Sequence, residues 1–224
     1  MTDSRNNLAA RVFLRPIGAP LPLGMAGLAI ASFVDSGLEL HWVKHSQALE
    51  IGLILVAVPF ILQLIACVLS YLARDAAAGA TLGVLATSWL ALGLIHIASP
   101  SSRVSGALGL LLLVAGACVA VSAVTVGVAK PLPAIVFFSA AARFGLSGIY
   151  QLSSVSTWEH AAGIVGLVVT GLAAYCLLAF ELESQNRAAV LPTLRRGRGA
   201  VAIENGSGAQ LDQVVHEAGV RQTG

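Results

Sequence analysis

Arg143 is the residue in this chain best placed to do chemistry. It lies within the predominantly apolar stretch 133–152, which is long enough to cross a bilayer as a helix of about 30 Å, putting Arg143 about 15 Å in, near the midplane. A charge at that depth is costly unless it faces water or a partner, so function is the first expectation for it. In a pore wall the guanidinium would draw in small anions and grip a carboxylate with paired donors. The structural alternative is an arginine bonded to backbone carbonyls at a helix break or a subunit interface. The acids fall elsewhere. Asp35, Glu39, Glu50, Asp75, Glu159, Glu181 and Glu183 all lie towards or beyond the ends of apolar stretches, which leaves no mid-membrane carboxylate to relay protons. His96 and His160 sit near span ends, where water reaches a histidine, and each also reads as a plain interfacial residue. Gln63, Thr87, Ser88, Ser139 and Ser147 are uncharged polar residues inside spans. They line a narrow path or bond across helices and back to their own backbone.

A second chemical feature is the backbone of Ala19-Pro20-Leu21-Pro22-Leu23-Gly24. Two prolines and a glycine remove helical donors and disfavour helical geometry at Leu21. In a bilayer such backbone is tolerated where protein or a wet cavity satisfies it, which suggests a pore entrance. The alternative is an ordinary helix start, with Pro22 in the first turn where its missing donor costs little.

Positioning these residues is the work of membrane spans. The chain has 224 residues, 57% hydrophobic and 11% charged, against about 25% charged in a soluble domain. At about 20 residues per span there is room for six helices. They are expected at 21–40, 48–72 (with Pro59 mid-span), 76–97, 104–129, 133–152 and 158–180. Residues 1–18 are expected to form a polar cytoplasmic leader, 19–184 the all-α transmembrane domain, and 185–224 a basic, disordered cytoplasmic tail. No cleavage pattern follows the first apolar run, so it is expected to be a retained span. Ten lysines and arginines, from Arg5 to Arg221, fall on the amino-terminal side of the membrane, and only Lys44 and Arg103 on the other. That asymmetry predicts both termini in the cytoplasm and an even number of spans. Glycines at 79, 83, 145, 148, 163, 166 and 171 predict close helix packing.

Several classes are disfavoured. The net charge of +2 argues against nucleic acid, and Cys67, Cys118 and Cys176 have no metal-like spacing and read as small buried hydrophobes. No cofactor or metal is expected. Gly145-Leu146-Ser147-Gly148 and His160-Ala161-Ala162-Gly163 loosely resemble the Ser–His pair of the rhomboid intramembrane proteases. Only a short loop separates the two positions here, where rhomboids interpose a helix, so no enzyme is expected.

The chain resembles the acetate uptake transporter family, which includes bacterial succinate–acetate permeases and fungal acetate and ammonia exporters. The resemblance covers about 18–194. Its signature Asn-Pro-Ala-Pro-Leu-Gly falls on Ala19 to Gly24, matching Pro20, Pro22, Leu23 and Gly24, with Leu21 in place of alanine. Phe137-Phe138-Ser139 and Ala162-Gly163-Ile164-Val165-Gly166-Leu167 follow the family's later landmarks, as do Tyr175, Glu181, Glu183, Arg187 and Leu191-Pro192. The resemblance implies a urea-channel-like protomer in a homo-hexamer, each protomer with its own pore. It also implies a constriction at Leu28, Trp89 and Ala140, where the family has Phe, Tyr and Leu, and it puts Ser70 where the family has an acid.

The function expected is transport of acetate or similar small monocarboxylates across the inner (plasma) membrane, with protons as a candidate second substrate. Pro20, Leu21, Pro22, Leu23, Gly24, Gln63, Ser139 and Arg143 are the expected path residues, and the lipid bilayer is the other partner. Two alternatives stand beside it: a channel for urea, ammonia or undissociated acid, and a non-transporting interaction protein acting through its basic tail. Arg143→Ala is expected to weaken carboxylate uptake and leave assembly intact.

Overall fold

A computed structural model describes residues 18–99, 104–128, 130–186 and 190–194. The leader at 1–17 and the tail beyond 194 lie outside the described residues, as does the basic cluster at 195–198. Seven α-helices build the described part: α1 (Leu21–Glu39), α2 (Ala48–Ala57), α3 (Pro59–Leu72), α4 (Ala76–Ala98), α5 (Gly106–Gly127), α6 (Pro131–Ser153) and α7 (Ser156–Asn186). A short 3₁₀ turn, His45–Gln47, leads into α2. With α2 and α3 taken as one interrupted span, six helical segments are long and apolar enough to cross a membrane. The hydropathy-based spans match these to within a few residues, α7 excepted, which runs on past the sixth apolar stretch.

The two proline sites behave differently. At the first, Pro20 caps α1 and Pro22 occupies its first turn, while Gly24 N–H already bonds Pro20 O at 3.3 Å. The backbone there is an ordinary helix start and not a discontinuous helix. The break occurs at Pro59 instead. Val58 leaves helical geometry at φ −116° and ψ −75°, and Pro59 restarts the helix as α3. Proline mid-span has no N–H for the carbonyl four residues earlier and crowds it, so the helix bends where Pro59 falls.

Neighbouring helices form a closed ring. α1 packs on α7 and α3, α7 on α6, α6 on α5, α5 on α4, and α4 on both α2 and α3. The inner faces carry Leu28, Leu82, Leu85, Trp89, Leu112, Val119, Phe137 and Phe144, all fully or almost fully buried. Outward faces are apolar and exposed, as at Val114, Val121, Val124 and Ile164, which is the pattern of helices solvated by lipid. Cys118 lies on this outer face and Cys67 is half-buried, so of the three cysteines only Cys176 is the buried residue expected.

One contact sets the spacing of α2 and α4. A Cβ at Gly52 would stand 2.6 Å from Gly93 O, and one at Gly93 would stand 2.8 Å from Gly52 O. The two backbones touch, so neither position has room for a side chain. Gly52→Ala and Gly93→Ala are each expected to destabilise the protein by about 1–3 kcal/mol, the range for overpacking a tight interior. Thermal unfolding of the detergent-solubilised protein measures this; an unchanged midpoint in both variants would show that α2 and α4 are free to separate.

At the opposite end of the bundle from α1's carboxyl terminus, Asp75 caps α4 by accepting from Ala78 N–H at 3.2 Å and pairs with Lys130. This ties the α3–α4 connection to the start of α6.

Candidate functional site

The polar residues of the core converge on α1. Gln63, on α3 one turn beyond the Pro59 break, donates from Nε2 to Gly24 O at 3.3 Å. Its side chain is fully buried, so the helix start at 20–24 and the interruption of the second span meet through this amide. Gly24 and Gln63, both expected path residues, are therefore brought together. Leu21 is buried beside them, while Pro20, Pro22 and Leu23 are half-buried. Ser139 is not part of this cluster. It is half-buried, and its hydroxyl donates to Ile135 O of its own helix at 2.9 Å.

Arg143 is where the structure departs furthest from sequence expectation. It is 1% exposed, and it faces neither water nor backbone carbonyls at a helix break. Nη2 donates to Asp35 Oδ2 at 2.7 Å and to Glu39 Oε2 at 3.0 Å, and Glu39 Oε1 accepts from Ser147 Oγ at 2.8 Å. Asp35 and Glu39, placed near the end of their span by sequence, are buried at 3% and 8% exposure and share a site with the mid-span arginine. Both lie in the last turns of α1, as expected, and it is their contact with the mid-span arginine that the sequence did not predict.

The physical reason is geometric. α1 and α6 run in the same direction across the bundle, and each presents a pair of residues one turn apart, 35 with 39 and 143 with 147. Positions four apart lie on one helix face, and a long arginine side chain spans the gap between helices. α7 supplies the opening. A Cβ at Gly166 would fall 2.1 Å from Ser36 Oγ and 2.5 Å from Arg143 Nε. Glycine at this position does more than let helices approach: it leaves the space through which Arg143 reaches α1.

Trp89 completes the centre. It is fully buried, its ring lies edge-on to Phe144 with centroids 5.2 Å apart, and Arg143 Cζ sits 5.2 Å from the ring centroid. Stacking on an aromatic face and pairing with carboxylates are the two environments in which a guanidinium is best held. Leu28 and Ala140, the other expected constriction positions, are also fully or almost fully buried in the same apolar core. Trp89 is the one ring among these three positions.

A set of buried polar atoms in this core has no hydrogen-bond partner among the described residues: Ser32 Oγ, Ser36 Oγ, Gln63 Oε1, Trp89 Nε1 and Arg143 Nε. They come from α1, α3, α4 and α6, which places them on the inside of the ring. An unsatisfied buried donor or acceptor costs about 1–3 kcal/mol, and native proteins keep few of them. All five lie inside one membrane bundle. Ser32, Ser36, Asp35 and Glu39 escaped sequence reasoning; the available signal was the pair of four-residue spacings on two parallel spans.

The two other histidine and serine positions singled out by sequence stay apart. Ser147 is engaged by Glu39, whereas His160 Nδ1 lies 2.9 Å from Ser156 O and its ring is tilted against His41. Towards the far end of α7, Tyr175 Oη donates to Pro192 O at 3.2 Å, which ties the Leu191-Pro192 segment back to the helix.

A family model described as the GPR1/FUN34/yaaH family matches residues 3–195. Among solved structures, the chain is similar to that of the bacterial acetate channel SatP, with a TM-score of 0.71 and 21% sequence identity, covering 79% of this chain and 99% of that one. At that identity the likeness establishes a common fold. No curated protein matches the chain.

Proposed function

Since the chain belongs to the GPR1/FUN34/yaaH family, we propose that it carries acetate or a similar small monocarboxylate across a membrane, through the inside of its own helix ring. The observation that carries this reading is the group of buried, unpartnered polar atoms at Ser32, Ser36, Gln63, Trp89 and Arg143, set in an otherwise apolar core. Such a core admits a solute that sheds most of its water, and the unpartnered donors replace part of what is lost. The similarity in fold to an acetate channel supports a carboxylate as that solute.

In this reading Arg143 acts on a passing carboxylate through its charge, with Nη2 committed to Asp35 and Glu39. Leu28, Trp89 and Ala140 form the neck, with Trp89 as its principal barrier. Pro20 to Gly24, joined to Gln63, frame the cytoplasmic mouth. Ser139 is assigned to the path by its position in the Phe137-Phe138-Ser139 motif alone. The excess of lysine and arginine on one side supports cytoplasmic termini and an inner (plasma) membrane location, and the family resemblance supports a homo-hexamer. Protons are the proposed coupled ion.

Trp89→Ala tests the neck. Removing the ring from a fully buried position is expected to raise butyrate uptake relative to acetate by about tenfold, the effect of about 1.4 kcal/mol in barrier height. Competition between labelled acetate and butyrate in proteoliposomes measures the ratio. An unchanged ratio in a folded Trp89→Ala protein would remove this residue from the path.

A further inference from the structure

A cavity of about 220 Å³ opens at the end of the bundle where α4 and α6 finish and α5 begins, lined by His96, Ser99, Ser105 and Gln151 with apolar walls from Ile95 and Leu108. Gln151 Oε1 accepts from Ser105 N–H at 2.7 Å, which fixes one wall. His96 is the residue that joins this cavity to the core: its Nε2 stands 3.9 Å from Asp35 Oδ1, on the oxygen that Arg143 does not use. The back of its ring is set by Gly52, where a Cβ would come within 3.0 Å of His96 Cβ.

Charge counting gives this contact its meaning. Two carboxylates, Asp35 and Glu39, face one guanidinium, Arg143, in a nearly dry site. The site therefore carries one surplus negative charge when both acids are ionised, and a neutral imidazole does not cancel it. Two further groups at this end, among the described residues, are turned away from the pair. His41 lies 3.9 Å from Glu159 and against His160, and Glu50 is exposed on α2. Ser36 Oγ and Arg143 Nε, both buried and unpartnered, lie together against the backbone of Gly166, which leaves no room for a further group between them and α7.

We infer that His96 is a proton-binding residue that sets the charge of the Asp35–Glu39–Arg143 site and so controls admission of a carboxylate. A proton from water in the cavity binds His96 at Nε2; the imidazolium then pairs with Asp35, the site becomes neutral, and an anion entering the bundle is no longer repelled. Loss of the proton back to the cavity restores the surplus charge, which repels the anion. The inference rests on the carboxylate reading above for its consequence, but the proton site itself is separable from it.

Two measurements test it. The first needs no transported solute. Arg143 lies over Trp89, so the fluorescence of Trp89, isolated by Trp42→Phe and Trp158→Phe at the exposed tryptophans, reports the charge state of the cluster. A transition is expected on acidification. His96→Gln abolishes it and His160→Gln leaves it in place. The second is acetate uptake on the same acidification, corrected with protein-free vesicles. Wild-type uptake rises with acidity by about 30-fold, the effect of one unit charge at about 8 Å in an effective dielectric of about 20. His96→Gln holds it low, and His96→Lys holds it high at every pH.

A wild-type protein without a Trp89 transition, or a transition that survives His96→Gln, overturns the inference. If acetate never crosses while the transition depends on His96, the carboxylate reading falls and the proton site stands. If acetate crosses with a pH profile that His96→Gln does not alter, the inference falls and the carboxylate reading stands.

Discussion

Arg143→Gln is expected to cost about 3–5 kcal/mol of stability, the penalty for leaving a buried charge without its partner. Asp35 and Glu39 are both nearly inaccessible to water, and Arg143 Nη2 is the donor they share. Without it, two carboxylates face each other in a dry bundle with Ser147 as the remaining hydroxyl donor to Glu39. For a protein of this size that loss corresponds to a fall of roughly 10 °C or more in the unfolding midpoint. The expectation formed from the sequence, that Arg143→Ala would weaken uptake and leave assembly intact, is therefore replaced by a loss of the folded protein itself. A neutral variant separates structure from function. Asp35→Asn, Glu39→Gln and Arg143→Met together remove every charge of the trio, and such replacements of buried ion pairs are often neutral or stabilising. That triple variant is expected to recover the wild-type midpoint while losing acetate uptake. Recovery of both would mean that the charges serve folding alone.

Gly166→Val should be nearly as damaging, for a different reason. Even a Cβ there meets Ser36 Oγ at 2.1 Å and Arg143 Nε at 2.5 Å. The α1–α7 contact cannot open without disturbing the ring, so Arg143 is driven off its carboxylates and the overpacking term, about 1–3 kcal/mol, adds to the loss of the ion pair. Gly166→Ala is expected to fall between wild type and Gly166→Val. Adding Ser36→Ala to Gly166→Ala removes one of the two clashes and is expected to restore part of the midpoint. Purely additive effects of the two substitutions would show that Gly166 and Ser36 do not share a site.

The spans were legible because lipid solvation demands long apolar segments, and the breaks between those segments carry charge or proline. The order of motifs led to the family, and Gln63 was singled out correctly as a polar residue deep in a span. What could not be read was which polar residues meet. Asp35 and Glu39 are indeed near the end of α1, and counting depth along each helix separately kept them apart from Arg143. Arg143 reaches them along its own side chain, through a gap that only the third helix, α7, reveals. Gly166 looked like one packing glycine among many, since its special role depends on what passes beside it. The proline motif left two readings open, irregular backbone or an ordinary helix start, and the second holds, because proline in a first turn lacks only a donor that would be unpaired anyway. Pro59, a single residue without a motif, bends the span instead.

The central claim is passage of a small carboxylate through the protomer. Its most direct test is uptake of radiolabelled acetate into proteoliposomes, with and without an imposed pH gradient, with urea as the comparison solute. The account predicts saturable acetate uptake, accelerated by an inward proton gradient, with urea remaining at the level of protein-free vesicles. Urea crossing without acetate would contradict it.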